Sequence, residues 1–278
     1  MSADRRIIIA PDLQTTINQW PDAISRVLEG ITSDKVPTEI QYVGQDFKWG
    51  YEIGESGLRH QWFKLDLDPS QHREGQSLAI TYPDPLASPP GYDVTPTKLV
   101  TDYLTAIRNH AELVLRHKLP RAIIDATPIE YLITVPAVWS GAAQAKTRAC
   151  VQNAGMGTGS TLHIISEPEA AAIYALESLA PHNIKVDDTF MLLDAGGGTC
   201  DLISYMVSAL KPILTIKEAN PRSGSLCGSS FLNRIFRKLL KDRFEKDPLW
   251  DDDVPEEASS RGFFKFFDTN VSLGDQAV

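Results

Sequence analysis

The stretch MLLDAGGGTCDLISYMV, Met191 to Val207, decides how the rest of the chain is read. An apolar run ends at Asp194, glycines follow at Gly196, Gly197 and Gly198, and Thr199 leads through Asp201 into a second apolar run. The pattern predicts two strands joined by a glycine turn. Glycine accepts positive φ and has no Cβ, so this turn can present main-chain N–H groups to a ligand lying close against the backbone. A phosphate suits such a cradle. Asp194 and Asp201 would repel a bare phosphate, but they fit a Mg2+ ion whose water shell lies between carboxylates and phosphate. An ordinary hairpin turn accounts for the same glycines without any ligand. Both readings stand on these residues alone.

Upstream, the sequence alternates strands and helices. Arg5 to Ala10 (RRIIIA) predicts a strand cut off by Pro11, and Glu39–Val43 with Phe47–Ile53 predicts a hairpin about Gly44. Residues 54 to 93 read as loop, broken by extended pieces at Trp62–Leu67 and Ser77–Tyr82. Thr95 as N-cap, Pro96 at the first helical position and apolar residues from Leu99 to Leu115 predict a long amphipathic helix ending near Lys118. A strand at Tyr131–Pro136, a helix capped by Ser140, a strand at Thr161–Ile165 and a helix from Pro168 follow. Past the glycine hairpin, Pro212–Glu218 continues a sheet, Gly224–Ser230 reads as a small-residue loop, and Phe231–Phe244 as a basic helix. This alternation argues for an α/β fold with a largely parallel sheet apart from the hairpins.

The chain has 278 residues, enough for two lobes with a substantial core. Its 27 basic and 36 acidic residues give a formal charge of −9, which argues against a broad nucleic-acid or anionic-membrane surface. No stretch has the length of a membrane span and no leader is evident, so a cytoplasmic location is expected. Cys150, Cys200 and Cys227 lack CxxC spacing and read as small buried apolar residues rather than as a disulfide framework or zinc site. Gly155-Met-Gly157-Thr-Gly159 follows a helix and leads into a strand, the reverse of a dinucleotide fingerprint, so a helix C-cap is expected there. No GxxxxGK[ST] occurs.

A second chemical candidate is Glu167, at the end of the strand before a helix. From the carboxyl end of a strand it could orient a water attacking a terminal phosphate. It could equally be a helix-capping acid stabilised by the helix dipole.

Three stretches together resemble one family: ITVPAVWSGAAQAKTRACVQNAG at Ile133 to Gly155, LHIISEPEAAAIYAL at Leu162 to Leu176, and LLDAGGGTCDLISYMV at Leu192 to Val207. In order, spacing and context they look like the ATPase domain of Hsp70-type chaperones, with GSLCGSSFLN at Gly224 to Asn233 similar to that family's next glycine loop. The loosely matching N-terminal half points to the divergent Hsp70-like proteins. The resemblance implies the two-lobed, actin-like (ribonuclease H-like) ATPase fold with ATP or ADP and Mg2+ between lobes. A first lobe at 1–185 and a second, incomplete lobe at 186–278 are expected. Gly196, Gly197, Gly198 and Thr199 would hold the phosphates. Asp194 and Asp201 would act through the Mg2+ water shell and the attacking water, as catalytic and metal-side residues. Glu167 would position that water, and Pro136 would sit at a hinge where Gln144 replaces the family's basic partner.

Two departures limit the expected chemistry. The family's first phosphate hairpin should follow Arg5 to Ala10, and Pro11 stands there instead. A first-lobe catalytic lysine is expected too, and the sequence assigns it to neither Lys48 nor Lys64. The adenosine-binding elements and a peptide-binding domain are not in the chain. An ATP-binding protein of chaperone ancestry with weak or no ATPase activity is therefore expected, with nucleotide and client proteins or cochaperones as expected partners. The alternatives are a non-catalytic interaction module without nucleotide and, less favoured, a small-molecule kinase of the same superfamily.

Overall fold

A computed structural model describes residues 6–10, 36–53, 57–68, 81, 94–179, 184–196, 200–212, 214–225 and 227–244. The segment after Ala10, most of the Ser77–Tyr82 strand, and Gly197, Gly198 and Thr199 lie outside them. So do the acidic run Asp251–Asp253 and the apolar Phe263–Phe267.

The fold is mixed α/β with sheets of both kinds. β1 (Ile7–Ile9), β5 (Ile129–Val135) and β6 (Leu162–Ser166) form a parallel sheet in the order β1-β5-β6. β2 (Glu39–Val43), β3 (Asp46–Trp49) and β4 (His60–Gln61) form an antiparallel sheet with β2 central. β7 (Thr189–Ala195), β8 (Cys200–Ala209) and β9 (Thr215–Ser225) form a third, an antiparallel meander. The expected largely parallel sheet is thus confined to the first group. The connections inside the other two are too short to hold the crossover that parallel pairing requires.

The helices are α1 (Pro96–Lys118), α2 (Arg121–Ala126), α3 (Gly141–Asn153), α4 (Glu167–Leu179) and α5 (Ser229–Phe244). The α1 start follows the sequence reading: Thr95 Oγ1 accepts from the Lys98 N–H at 3.3 Å, with Pro96 at the first position. α2 was not expected, and it buries no residue. The second hairpin strand stops at Trp49, where Gly50–Glu52 forms a 3-10 turn, instead of running to Ile53. Trp62–Leu67 is not extended either: Leu65–Leu67 is a 3-10 turn.

One continuous core joins the first two sheets. Val100, Tyr103, Leu104 and Ile107 of α1 pack on Ile40 and Trp49 on one side and on Ile133, Ala143 and Val151 on the other. Tyr42 ties β2 to α1 by donating to Asp102 Oδ2 at 2.6 Å, the carboxylate that also takes Lys98 Nζ. A smaller cluster holds α4 on the meander: Ala172 packs with Ile203 and Tyr205, joined by Phe190, Leu192 and Ile216.

The glycine-rich end of α3 is a helix stop, as its context in the sequence implies. Gly155 N–H donates to the Gln152 carbonyl at 2.9 Å and Met156 N–H to that of Val151 at 3.1 Å, with Gly155 at φ 76° and Met156 buried. A Cβ on Gly155 would collide with the Arg108 guanidinium, which caps α3 by donating to the Ala154 carbonyl at 2.6 Å. Gly155→Ala is therefore expected to lose at least the roughly 1–2 kcal/mol of a left-handed non-glycine residue, measured by urea denaturation. Unchanged stability would contradict this cap.

Candidate functional site

α4 begins where β6 ends, at the carboxyl edge of the parallel sheet. Its N-terminus is capped by a reciprocal pair. Ser166 Oγ accepts from the Glu169 N–H at 3.3 Å, and Glu169 Oε2 accepts from the Ser166 N–H at 2.8 Å. Glu167 is thus not needed as the cap. Its side chain turns inward, and Lys64 Nζ donates to Glu167 Oε1 at 2.5 Å. Lys64 is 4% exposed and Glu167 9%. The ammonium also lies 5.9 Å from the centre of the Trp139 ring.

The turn that carries Lys64 is held from several sides. Phe63 is fully buried with its ring 5.7 Å from that of Tyr103, and Leu65 and Leu67 are buried behind it. Asp68 Oδ2 accepts from the N–H and hydroxyl of Ser140, the α3 N-cap, at 3.2 and 3.4 Å. Lys146 Nζ returns from α3 to the Leu67 carbonyl at 3.1 Å. On the other side, Trp62 adopts the left-handed region at φ 64°, rare for so large a side chain, and its ring lies 4.1 Å under the Arg234 guanidinium of α5.

Pro136 and Trp139 close the turn between β5 and α3, with the Trp139 N–H donating to the Pro136 carbonyl at 3.2 Å. Gln144, which stands where a basic residue was expected, donates from Nε2 to the Trp139 carbonyl at 3.4 Å.

The strands that flank the glycine run pair as read. β7 and β8 are antiparallel, with Asp194 opposite Asp201 and Ala195 opposite Cys200. Asp201 is buried, and β9 brings Gly224 opposite it. A Cβ at Gly224 would collide with Asp201 Oδ1, so the absence of a side chain there makes room for this carboxylate. Gly196 is the last described residue before the turn, and Gly197, Gly198 and Thr199 are not among the described residues. Tyr205 of β8 packs against Ala172 of α4, and burial, then the Glu169 charge, raises its phenol pKa.

The sequence reading grouped all three cysteines as buried, which holds for Cys150 alone. Cys200 is half-buried and Cys227 exposed. The Cys200 thiol donates to the Cys227 carbonyl at 3.5 Å, and burial, then the hydrogen-bonded Cys227 thiol, push it up to about 11. Lys64 is the residue the sequence did not assign. Its signal was weak, a lysine between Phe63 and Leu65 in a stretch without period, while Lys48 is exposed on β3.

Part of the chain is similar to proteins described as chaperone protein HscA homologs. The match is 30% identical over 161 residues in Acinetobacter baumannii (strain AYE), 57% of this chain and 23% of that protein. It is 32% over 150 residues in Chromobacterium violaceum and 29% over 148 in Neisseria meningitidis serogroup B, each 53% of this chain and 20% of the relative. The chain thus spans about a fifth of the length of these relatives. No family model matches it. The partial similarity supports an Hsp70-like relationship, on which the resemblance in the motifs also rests.

Glu167→Ala would leave the Lys64 charge buried without its carboxylate, a change that costs about 3–5 kcal/mol in comparable sites. The Lys64→Met, Glu167→Leu double variant is expected to lose less than the sum of the single losses in urea denaturation. Additive losses would show that the two groups do not depend on one another.

Proposed function

We propose that the chain is an Hsp70-like nucleotide-binding protein of chaperone ancestry. Its first lobe would span 1–185 and its second 186–278, with the actin-like fold and the nucleotide at the glycine hairpin. The observation that carries this reading is the buried Lys64–Glu167 pair at the head of α4, a helix that packs on the hairpin through Ala172 and Tyr205. A buried acid and base at the carboxyl end of a parallel strand, beside a glycine turn flanked by carboxylates, is suited to phosphate chemistry.

Lys64 takes the place of the first-lobe lysine. Its ammonium holds Glu167 ionised, so that Glu167 can accept a proton or a hydrogen bond from a water next to the terminal phosphate. The Gly196–Thr199 backbone would hold the phosphates. Among the described residues no group of three or more His, Cys, Asp or Glu is arranged to hold a metal directly. The adjacent carboxylates of Asp194 and Asp201 fit a hard cation bound through its water shell, and Mg2+ held there supplies neutralisation of phosphate charge. Without a phosphate hairpin after Ala10 the attack would lack one positioning wall, so hydrolysis is weak or absent. Client proteins or cochaperones are proposed as partners, in a cytoplasmic setting. No described helix is long and apolar enough to cross a membrane.

The interaction-module reading draws support from the outer face of β7, where Met191 and Leu193 are 66% and 63% exposed. A thermal-shift titration separates the two. A ligand that binds only the folded chain stabilises it by about 2.7 kcal/mol at about a hundredfold excess over Kd. Mg-ATP is expected to raise the Tm by several degrees, and Asp194→Ala to abolish the rise while an exposed Lys48→Ala keeps it. No rise in the parent chain would favour the interaction module.

A further inference from the structure

We propose that Cys200 and Cys227 form a reversible disulfide, a modification site that ties the start of β8 to the loop before α5. The observation is their juxtaposition, one on β8 and the other just past the end of β9. Cys200 pairs with Ser225 across β8 and β9, and the Cys227 N–H turns back onto the Ser225 carbonyl at 3.0 Å, a tight turn that keeps residue 227 beside residue 200. The Cys200 Sγ is 3.5 Å from the Cys227 carbonyl. Cys150 is fully buried on α3 and belongs to the other core.

Exposure sets the order of events. The exposed Cys227 thiol meets a peroxide first. Its sulfur attacks one peroxide oxygen, the O–O bond breaks, and a sulfenic acid and one water result. Cys200 Sγ then attacks the Cys227 sulfur, the S–OH bond breaks, and the hydroxide leaves with the Cys200 proton as a second water. Two thiols and one hydrogen peroxide thus give one disulfide and two waters, and a small dithiol reverses the step by exchange.

Bond formation draws the sulfurs to about 2.0 Å. The slack for that movement is missing on one side, because Gly224 already lies so close to Asp201 Oδ1 that no Cβ would fit. Closing the disulfide therefore displaces Asp201, and the oxidised chain loses nucleotide. This consequence, unlike the disulfide itself, rests on the nucleotide reading above.

The test uses the purified 278-residue chain. Reduced protein is freed of dithiol, treated with hydrogen peroxide, alkylated, and read by intact mass and non-reducing peptide digest. The expected result is a monomer lighter by two hydrogens, with Cys200 and Cys227 in one linked peptide that dithiothreitol separates. Both thiols still alkylated, or Cys227 driven to sulfinic acid beside a free Cys200, would overturn the proposal, as would a link found only between molecules. In a second arm the Mg-ATP thermal shift is measured before and after oxidation. Loss of the shift on oxidation, absent in Cys227→Ser, supports the coupling to nucleotide, and an equal shift in both states refutes that coupling. A linked peptide in a chain that shows no Mg-ATP shift even when reduced would uphold the disulfide and sink the nucleotide reading instead.

Discussion

The buried pair of Lys64 and Glu167 is the constraint on which the arrangement of the site depends. Removing an ammonium and a carboxylate from water costs several kcal/mol for each ion, and only close mutual contact offsets it. The two residues come from different parts of the fold, one from the turn after the antiparallel sheet and the other from the first residue of α4 at the edge of the parallel sheet. Each charge is offset in large part by the other. The pair therefore specifies how the two sheets dock, beyond what the apolar packing of α1 between them would impose.

The segment around Lys64 explains how a lysine comes to be held there. Phe63, Lys64, Leu65, Leu67 and Asp68 are all buried, and Asp66 alone in this run is partly exposed. A strand or helix of that length would turn some of these residues outward. The 3-10 turn after a left-handed Trp62 lets them share one side, and Arg234 over the Trp62 ring offsets some of the backbone strain. Asp68 completes the anchoring by capping α3, so the turn is fixed to the same helix that Lys146 reaches back from.

Legibility in the sequence followed the range of the signals. Thr95-Pro96 and Ser140 are local caps, and α1 and α3 start where these residues place them. Asp194 to Asp201 carries its own turn chemistry, and the hairpin forms around it. The sequence reading ended β9 at Glu218 and began a loop at Gly224, and Asn220 and Pro221 are residues that seldom continue a strand. The strand runs on to Ser225 because Pro221 falls at the register shift between the Leu202 and Ser204 pairings, where a missing N–H breaks no ladder bond. Lys64 and the pairing of Cys200 with Cys227 depend on contacts between residues far apart in sequence. No local period encodes them. The cap of α4 shows the same limit in a smaller way: the sequence offered Glu167 as a helix-capping acid, and in the structure Glu169 caps while Glu167 faces inward.

Gln144 was the clearest departure from the family pattern near Pro136, and its surroundings give a physical reason for a neutral side chain. Pro136 and Trp139 form one turn, Gln144 holds the Trp139 carbonyl, and the Trp139 ring faces the Lys64 ammonium. A second cation at position 144 would lie near an ammonium already removed from water, where like charges repel strongly. The turn is instead joined to Glu167 through Trp139 and Lys64. Because buried opposite charges resist separation, a displacement of Glu167 draws Lys64 with it, and the tryptophan ring and the Pro136 turn must follow or lose that contact. The head of α4 and the β5–α3 turn are thus in contact through Lys64 and Trp139.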